Sequence, residues 1–425
     1  MTASQLSNAT PQEQFQELTR GVVDLHTADE LRSKLVRSYG SQTPLLVKVG
    51  FDPSRPDLHL GHTLLLNRMR RFQEFGHRVV FLIGDFTGMI GDPSGRNVTR
   101  PALTSDEVKA NAETYKQQVF KILDPETTEI RFNSEWLRPL GAEGLLRLAA
   151  RYPLARMLER DDFKTRFREG RSIAIHELIY PLLQGYDSVE LRADVELGAT
   201  DQLFNLLVGR QLMREYQREY QLEPQVIMTG PILEGLDAKV VEGKLVGEKM
   251  SKSLGNYVAF NEDPHEIFGK LMSINDDLMW RYYELLSTLP PAQIEALRNA
   301  VAQGKEHPKN VKAGLAREIV SRFHGPQAAA HAEEQFERRF SKREQPSVEE
   351  MPVLEVSLGG AQKVYLTKII AEAKLTGSGT EARKLIVQGG VKVNQQKVAD
   401  PRTEVGPGEY LIQVGKLRAA RVRLR

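Results

Sequence analysis

The chain has 425 residues, 40% of them hydrophobic and 27% charged, with a formal net charge of +2 and no cysteine. That length calls for two or three domains rather than one core, and the composition is that of a globular protein. Disulfides, thiolate metal sites and cysteine nucleophiles are excluded, and no apolar run approaches the ~20 residues a membrane-spanning helix needs. The polar N-terminus, with no arginine before Arg20, predicts neither a secretory nor a mitochondrial leader, so a cytoplasmic setting is the default.

In chain order, the first strong element is the apolar run Pro44–Phe51, of strand length. A turn at 52–57 follows, and His59-Leu-Gly-His62 opens a helix in which Leu64, Leu65, Met69 and Phe72 recur at helical spacing up to Gly76. The next apolar run, Val79–Ile83, completes a parallel βαβ unit. Ligands in such sheets bind beyond the carboxyl ends of the strands, here 50–54 and 84–92. Residues 105–215 read as a mostly helical insertion, and Val226–Leu233 as another core strand ending near the site. These patterns predict an α/β, Rossmann-like catalytic domain over 1–240, a lysine loop at 241–260 and an α-helical domain over 261–343. A linker at 344–359 and a small α+β domain over 360–425 complete the chain.

Charge is unevenly spread. Residues 360–425 carry thirteen Lys/Arg against five Asp/Glu, a surplus of eight, and the remainder is mildly acidic. A basic tail on an acidic body predicts a polyanion partner held apart from the catalytic core.

Two short motifs carry the chemistry. His59 and His62 lie at one helix-turn spacing beside Gly61, which leaves the backbone open to close approach. Lys249-Met-Ser-Lys-Ser253 places two ammonium groups on a loop flanked by Gly and Ser, suited to stabilising negative charge. A zinc half-site is the competing reading of His-x-x-His. With no cysteine and no Glu after His59, no metal ligand is assigned.

In this order and at this distance the two motifs resemble the HIGH and KMSKS elements of class I aminoacyl-tRNA synthetases. Further segments resemble the tyrosyl-tRNA synthetases over essentially the whole chain: Gly50-Phe-Asp-Pro-Ser54, Ile90–Arg96, Tyr180–Asp187 and Gly198-Ala-Thr-Asp-Gln202. The tail segment Ala382–Asn394 is similar to the S4 RNA-binding fold. The intact KMSKS string resembles the less common of two bacterial subgroups.

The resemblance implies a two-step reaction, formation of tyrosyl-adenylate from L-tyrosine and ATP and then transfer to the terminal adenosine of tRNA(Tyr). ATP enters as a substrate with Mg²⁺ on its phosphates, and a homodimer with the tRNA spanning both subunits is expected. By the same resemblance, His59, His62, Ser54, Arg96, Arg100, Lys249 and Lys252 stabilise the developing charge. Gly50, Asp52, Asp92, Tyr180, Gln184, Asp187 and Gln202 surround tyrosine, with Asp187 on the phenol. Gly61, Gly198, Asp201 and Ser253 join His59, His62, Lys249 and Lys252 around ATP. Helical spacing independently places Tyr180, Gln184 and Asp187 on one face. One departure stands out: Lys48 occupies a position where many relatives carry tyrosine, and it is expected to orient Asp187 or to donate to the phenol. A rival reading, an RNA-binding or RNA-modifying protein working through its tail, leaves both motifs unexplained. A small-molecule nucleotidyltransferase leaves the tail unexplained.

Overall fold

The computed structural model describes residues 6–92, 104–242, 244–338, 353–357, 362–415 and 418–425. Two compact units emerge, one of residues 1–263 with 270–319 and one of residues 264–269 with 320–425.

The first unit is built on a six-stranded sheet of β1 (Asp24–His26), β2 (Leu46–Phe51), β3 (Arg78–Ile83), β4 (Thr128–Phe132), β5 (Val195–Ala199) and β6 (Val226–Gly230), in the order β1-β6-β5-β2-β3-β4. β2 runs parallel to both β3 and β5, and only β1 is antiparallel, pairing Asp24 with Thr229. Connections leave β2 in opposite directions on its two sides, so the switch point falls between β2 and β5. A ligand crevice is expected there, at Phe51 and Ala199. β3 is buried from Val79 to Ile83, as a strand covered on both faces should be. The helix Leu60–Glu74 buries Leu60, Thr63, Leu66, Met69 and Phe72, three residues apart along one face. It ends before Gly76, whose φ of 85° suits glycine.

Three features depart from the expectations. The stretch 105–215 is not wholly helical: it contributes β4 and β5 to the sheet. β4 alternates charged and apolar residues at the sheet edge, and β5 carries the buried Glu196, so neither shows a plain apolar run. The helices between 264 and 336 do not form a unit of their own. Asp276–Leu286 packs on the Leu60–Glu74 helix, and the fully buried Tyr282 donates to Glu234 O (2.8 Å). Within the expected linker, Val353–Val356 is a strand, pairing in parallel with Arg418–Leu424. In the second unit that pair belongs to a five-stranded sheet with Gly408–Val414, Val391–Val393 and Gln396–Val398. Helices Leu366–Glu372 and Gly379–Val387 cover it through Leu366, Ile369, Ile370 and Ile386.

The site helix Ile175–Leu191 is set by its crossing with Leu203–Glu215. A Cβ at Gly185 would sit 2.9 Å from Gly209 Cα and 2.8 Å from Leu212 Cδ1. Backbone on one side cannot give way cheaply, so Gly185→Ala should cost about 1–3 kcal/mol through overpacking. Gly40→Ala, in a helix with nothing within 4 Å of the new methyl, should cost nothing. Thermal unfolding of both variants checks this; equal midpoints would contradict the packing argument.

Candidate active site

A cavity of about 690 Å³ opens at the carboxyl ends of β2, β3 and β5. It is within the size range of small-molecule sites. Gly50 lies in β2 and Asp52 and Ser54 follow it, His59, Gly61 and His62 start the next helix, and Tyr180, Gln184 and Asp187 share one face of Ile175–Leu191. Gly198 lies in β5 and Asp201 and Gln202 follow it, Asp92 lies after β3, and Lys249, Lys252 and Ser253 complete the lining. The two motifs and the polar helix face predicted from spacing therefore meet in one place. Arg96 and Arg100 lie outside the described residues.

The histidines are in contact, with ring centroids 3.8 Å apart. His59 N–H donates to His62 Nδ1 (3.0 Å), which leaves the His62 proton on Nε2. Burial holds His59 well below the usual imidazole range, with the charges of His62, Lys252 and Lys249 adding to it. Burial and then Lys252 push His62 down to about 3. Both imidazoles are thus neutral at pH 7 and act as hydrogen-bond donors rather than as cations.

The lysine loop is anchored at both ends. Met250 N–H donates to Leu233 O (2.8 Å), and Ser251 N–H to the side chain of the buried Asn256 (2.8 Å). Lys249 is ion-paired with Asp201. The Lys252 ammonium lies 5.7 Å from the centre of the Tyr115 ring, within cation–π range. Burial brings Lys252 down to about 8, against the pull of Asp57 and together with Arg55. At neutral pH it remains mostly protonated.

Around Asp187 the chain builds a connected polar network. Tyr180 OH donates to Asp52 Oδ2 (2.8 Å), and Thr87 Oγ1 donates to Asp52 Oδ1 (2.7 Å). Asn133 Nδ2 reaches Thr87 Oγ1 (3.0 Å) and Asp187 Oδ2 (3.4 Å), while Trp136 Nε1 donates to Asp187 Oδ1 (2.8 Å). Burial raises Asp187 to about 7 against the opposing pull of Lys48. Elsewhere in the cavity Gln202 Nε2 donates to Asp92 Oδ2 (2.9 Å), and Asn205 Nδ2 donates to Gln184 Oε1 (3.0 Å) and Gln202 Oε1 (3.2 Å).

Lys48 is not where the sequence expectation put it. It does not line the cavity. It is fully buried behind the wall, with Nζ 2.8 Å from Glu196 Oε1, an ion pair whose angles fall outside those of a hydrogen bond. The reason lies in the register: Lys48 and Glu196 are directly paired on the adjacent strands β2 and β5. Glu196, Asn133, Trp136, Thr87, Asn205 and Tyr115 were all missed from the sequence. Glu196 alone gave a signal, as an isolated acid inside an apolar stretch (Val195-Glu-Leu197).

Residues 41–341 match the family described as tRNA synthetases class I (W and Y), and residues 366–409 match the S4 domain. Over 411 residues the chain is 54% identical to a tyrosine–tRNA ligase from Geobacter sulfurreducens, covering 96% of this chain and 98% of that one. Over 405 residues it is 53% identical to a tyrosine–tRNA ligase from Bordetella pertussis, covering 95% of each. Its fold is similar to a tyrosyl-tRNA synthetase from Archaeoglobus fulgidus solved with L-tyrosine, at 21% identity and a TM-score of 0.57, covering 76% of this chain and 99% of that one. The shared motifs, the cavity they form and a family match over most of its length place this chain among the class I tRNA synthetases of the tryptophan and tyrosine group.

Proposed function

We infer that the chain activates L-tyrosine with ATP and transfers the tyrosyl group to tRNA(Tyr), the reaction of a tyrosine–tRNA ligase. The observation that carries this reading is the single cavity shared by both motifs and the Tyr180–Asp187 face. Tyrosine lies with its phenol at Asp187 and its ammonium near Asp92, Tyr180 and Gln184. Its carboxylate, already ionised at pH 7, attacks the α-phosphorus in line, so no general base is needed. The neutral imidazoles of His59 and His62 donate to phosphate oxygens, and Lys249 and Lys252 take the charge that develops on pyrophosphate. Binding of ATP exchanges partners: Lys249 leaves Asp201 for phosphate, and Asp201 is released to the ribose hydroxyls. Mg²⁺ arrives with the nucleotide. The acyl group then passes to the 3′-terminal adenosine of the tRNA. Tyrosine-dependent exchange of pyrophosphate into ATP tests the reading, and exchange driven equally by an unrelated amino acid would overturn it.

A homodimer in the cytoplasm fits this activity. Leu146, Leu154, Phe167 and Ile175 are 58–75% exposed within one thirty-residue stretch, an apolar surface suited to a second copy. Among the described residues, no helix is long and apolar enough to cross a membrane.

Lys252→Ala should slow adenylate formation roughly 10²-fold, the worth of one preorganised donor to a developing anion, with tyrosine affinity little changed. Single-turnover measurement decides it, and a rate within threefold of the parent would remove the assigned role.

The tail's charges divide into two populations. Arg421 and Arg423 pair with Glu409, Arg425 with Glu355, and Arg418 with Glu381. Lys374, Arg383, Lys384 and Lys392 are exposed and, among the described residues, form no ion pair. Replacing these four with alanine should leave tyrosine activation intact. The salt dependence of tRNA binding should flatten by about three units of log–log slope, since each phosphate contact contributes ~0.7–0.9. An unchanged slope would place the RNA contacts elsewhere.

A further inference from the structure

Of the buried ion pairs that the mechanism leaves unused, Lys48–Glu196 borders the cavity. Lys48 and Glu196 are 0% and 2% exposed, with Nζ 2.8 Å from Oε1, and lie side by side on β2 and β5. Glu196 Oε2 also accepts from Ser188 Oγ (3.1 Å) and from Gln225 Nε2, so both of its oxygens are engaged. Ser188 directly follows Asp187 on the covering helix, which ties the pair to the residue that faces the phenol. A buried ion pair is poor value for stability alone, because apolar residues of similar volume do as well or better.

We propose that Lys48, behind the cavity wall, and Glu196, at its lining, are a specificity-determining positioning pair, which sets whether Asp187 is a carboxylate able to accept the phenol hydrogen. This rests on the reading of the cavity as a tyrosine site. Among the described residues, four side chains act on Asp187. Trp136 Nε1 and Asn133 Nδ2 donate to its two oxygens from the β4 side, Lys48 acts on it from β2 and Glu196 from β5. Beyond Asn133, Thr87 leads on to Asp52, itself bonded by Tyr180. Burial raises the Asp187 carboxyl to about 7, the positive charge of Lys48 and the two donors pull it down, and Glu196 pushes it up again. The two members of the pair therefore act on Asp187 with opposite sign. Lys48 keeps the acceptor ionised near neutrality, and Glu196 limits that pull while neutralising a lysine that would otherwise be buried alone.

The sign of the pH dependence follows. Below the Asp187 midpoint the protonated carboxyl is a poor acceptor, and a phenyl ring loses nothing there relative to a phenol. Above it, the carboxylate accepts from tyrosine and is left unpaired by phenylalanine. The ratio of kcat/KM for tyrosine over phenylalanine should therefore rise with pH through a midpoint near 7, since kcat/KM reports groups of the free enzyme.

The test follows that ratio by pyrophosphate exchange between pH 5.5 and 9 (the range being roughly that over which the tyrosine phenol itself stays protonated). Lys48→Met should raise the midpoint by about one unit, the low end of what a neighbouring opposite charge contributes. Glu196→Gln should lower it, while keeping an oxygen for Ser188 and Gln225. Midpoints that stay in place or move together, or a preference lost evenly at all pH values, would show that the pair only fills the core. Should Lys48→Met fail to fold, with Glu196 stranded as a buried charge, the direction of the shift in Glu196→Gln decides alone. A parent enzyme without tyrosine-dependent exchange would refute the function itself. Exchange with unmoved midpoints would refute only the role of the pair.

Discussion

The backbone hydrogen bond from Leu60 N–H to Val258 O (2.9 Å), with the bridge pairing His59 and Ala259, joins two parts of the chain almost 200 residues apart. It sets the first turn of the histidine helix directly against the segment that follows the lysine loop. Its partner on the other side is the bridge between Glu234 and Lys249, which ties the start of the lysine loop to the segment leaving β6. The loop is therefore hung from two fixed points, and its middle, from Ser253 to Gly255, is exposed. On the function proposed above, fixed ends with an exposed middle suit a short loop that closes over a leaving group without disturbing the sheet.

That arrangement explains how so many polar and charged groups can share one cavity. The histidines are neutral because burial and the lysines make protonation costly, so they add no repulsion. Lys249 is compensated by Asp201, and Lys252 rests against the face of Tyr115. On the function proposed above, a nucleotide exchanges each of these local partners for another: phosphate for Asp201 and Tyr115, and ribose hydroxyls for Lys249. Interactions exchanged in this way favour the bound state without locking the free protein into a strained one.

Sequence reading recovered what depends on spacing along the chain. Tyr180, Gln184 and Asp187 fall on one face because a helix repeats every 3.6 residues, and His59 and His62 meet because they are one turn apart. It failed where a role is conferred by pairing across the sheet. Lys48 was placed beside the phenol because the residue was judged from its own strand. The strand opposite supplies Glu196, and a cross-strand neighbour cannot be read from local pattern. The same holds for Asn133 and Trp136, which reach Asp187 only because β4 adds to the sheet beside β3. β4 itself went unseen since its alternation of Thr, Glu and Arg with apolar residues is that of an edge strand, not a core one.

The tail shows a similar limit for charge. Counting residues finds a surplus of eight positive charges, which correctly marks the domain as suited to a polyanion. The count cannot distinguish arginines bound to glutamates from lysines facing water. On the strand Arg418–Leu424 alternate residues point to opposite faces: Val422 and Leu424 enter the core, and Arg421 and Arg423 face the other way, onto glutamates of neighbouring strands. Those arginines stabilise the sheet, modestly for exposed pairs, and part with their partners only at a cost. The helix Gly379–Val387 and the strand after it bear Arg383, Lys384 and Lys392, which form no ion pair among the described residues. Phosphate can approach these without displacing anything but water and counterions. The field that matters to RNA is therefore narrower than the composition suggests, and it is set by which basic residues the fold leaves uncompensated.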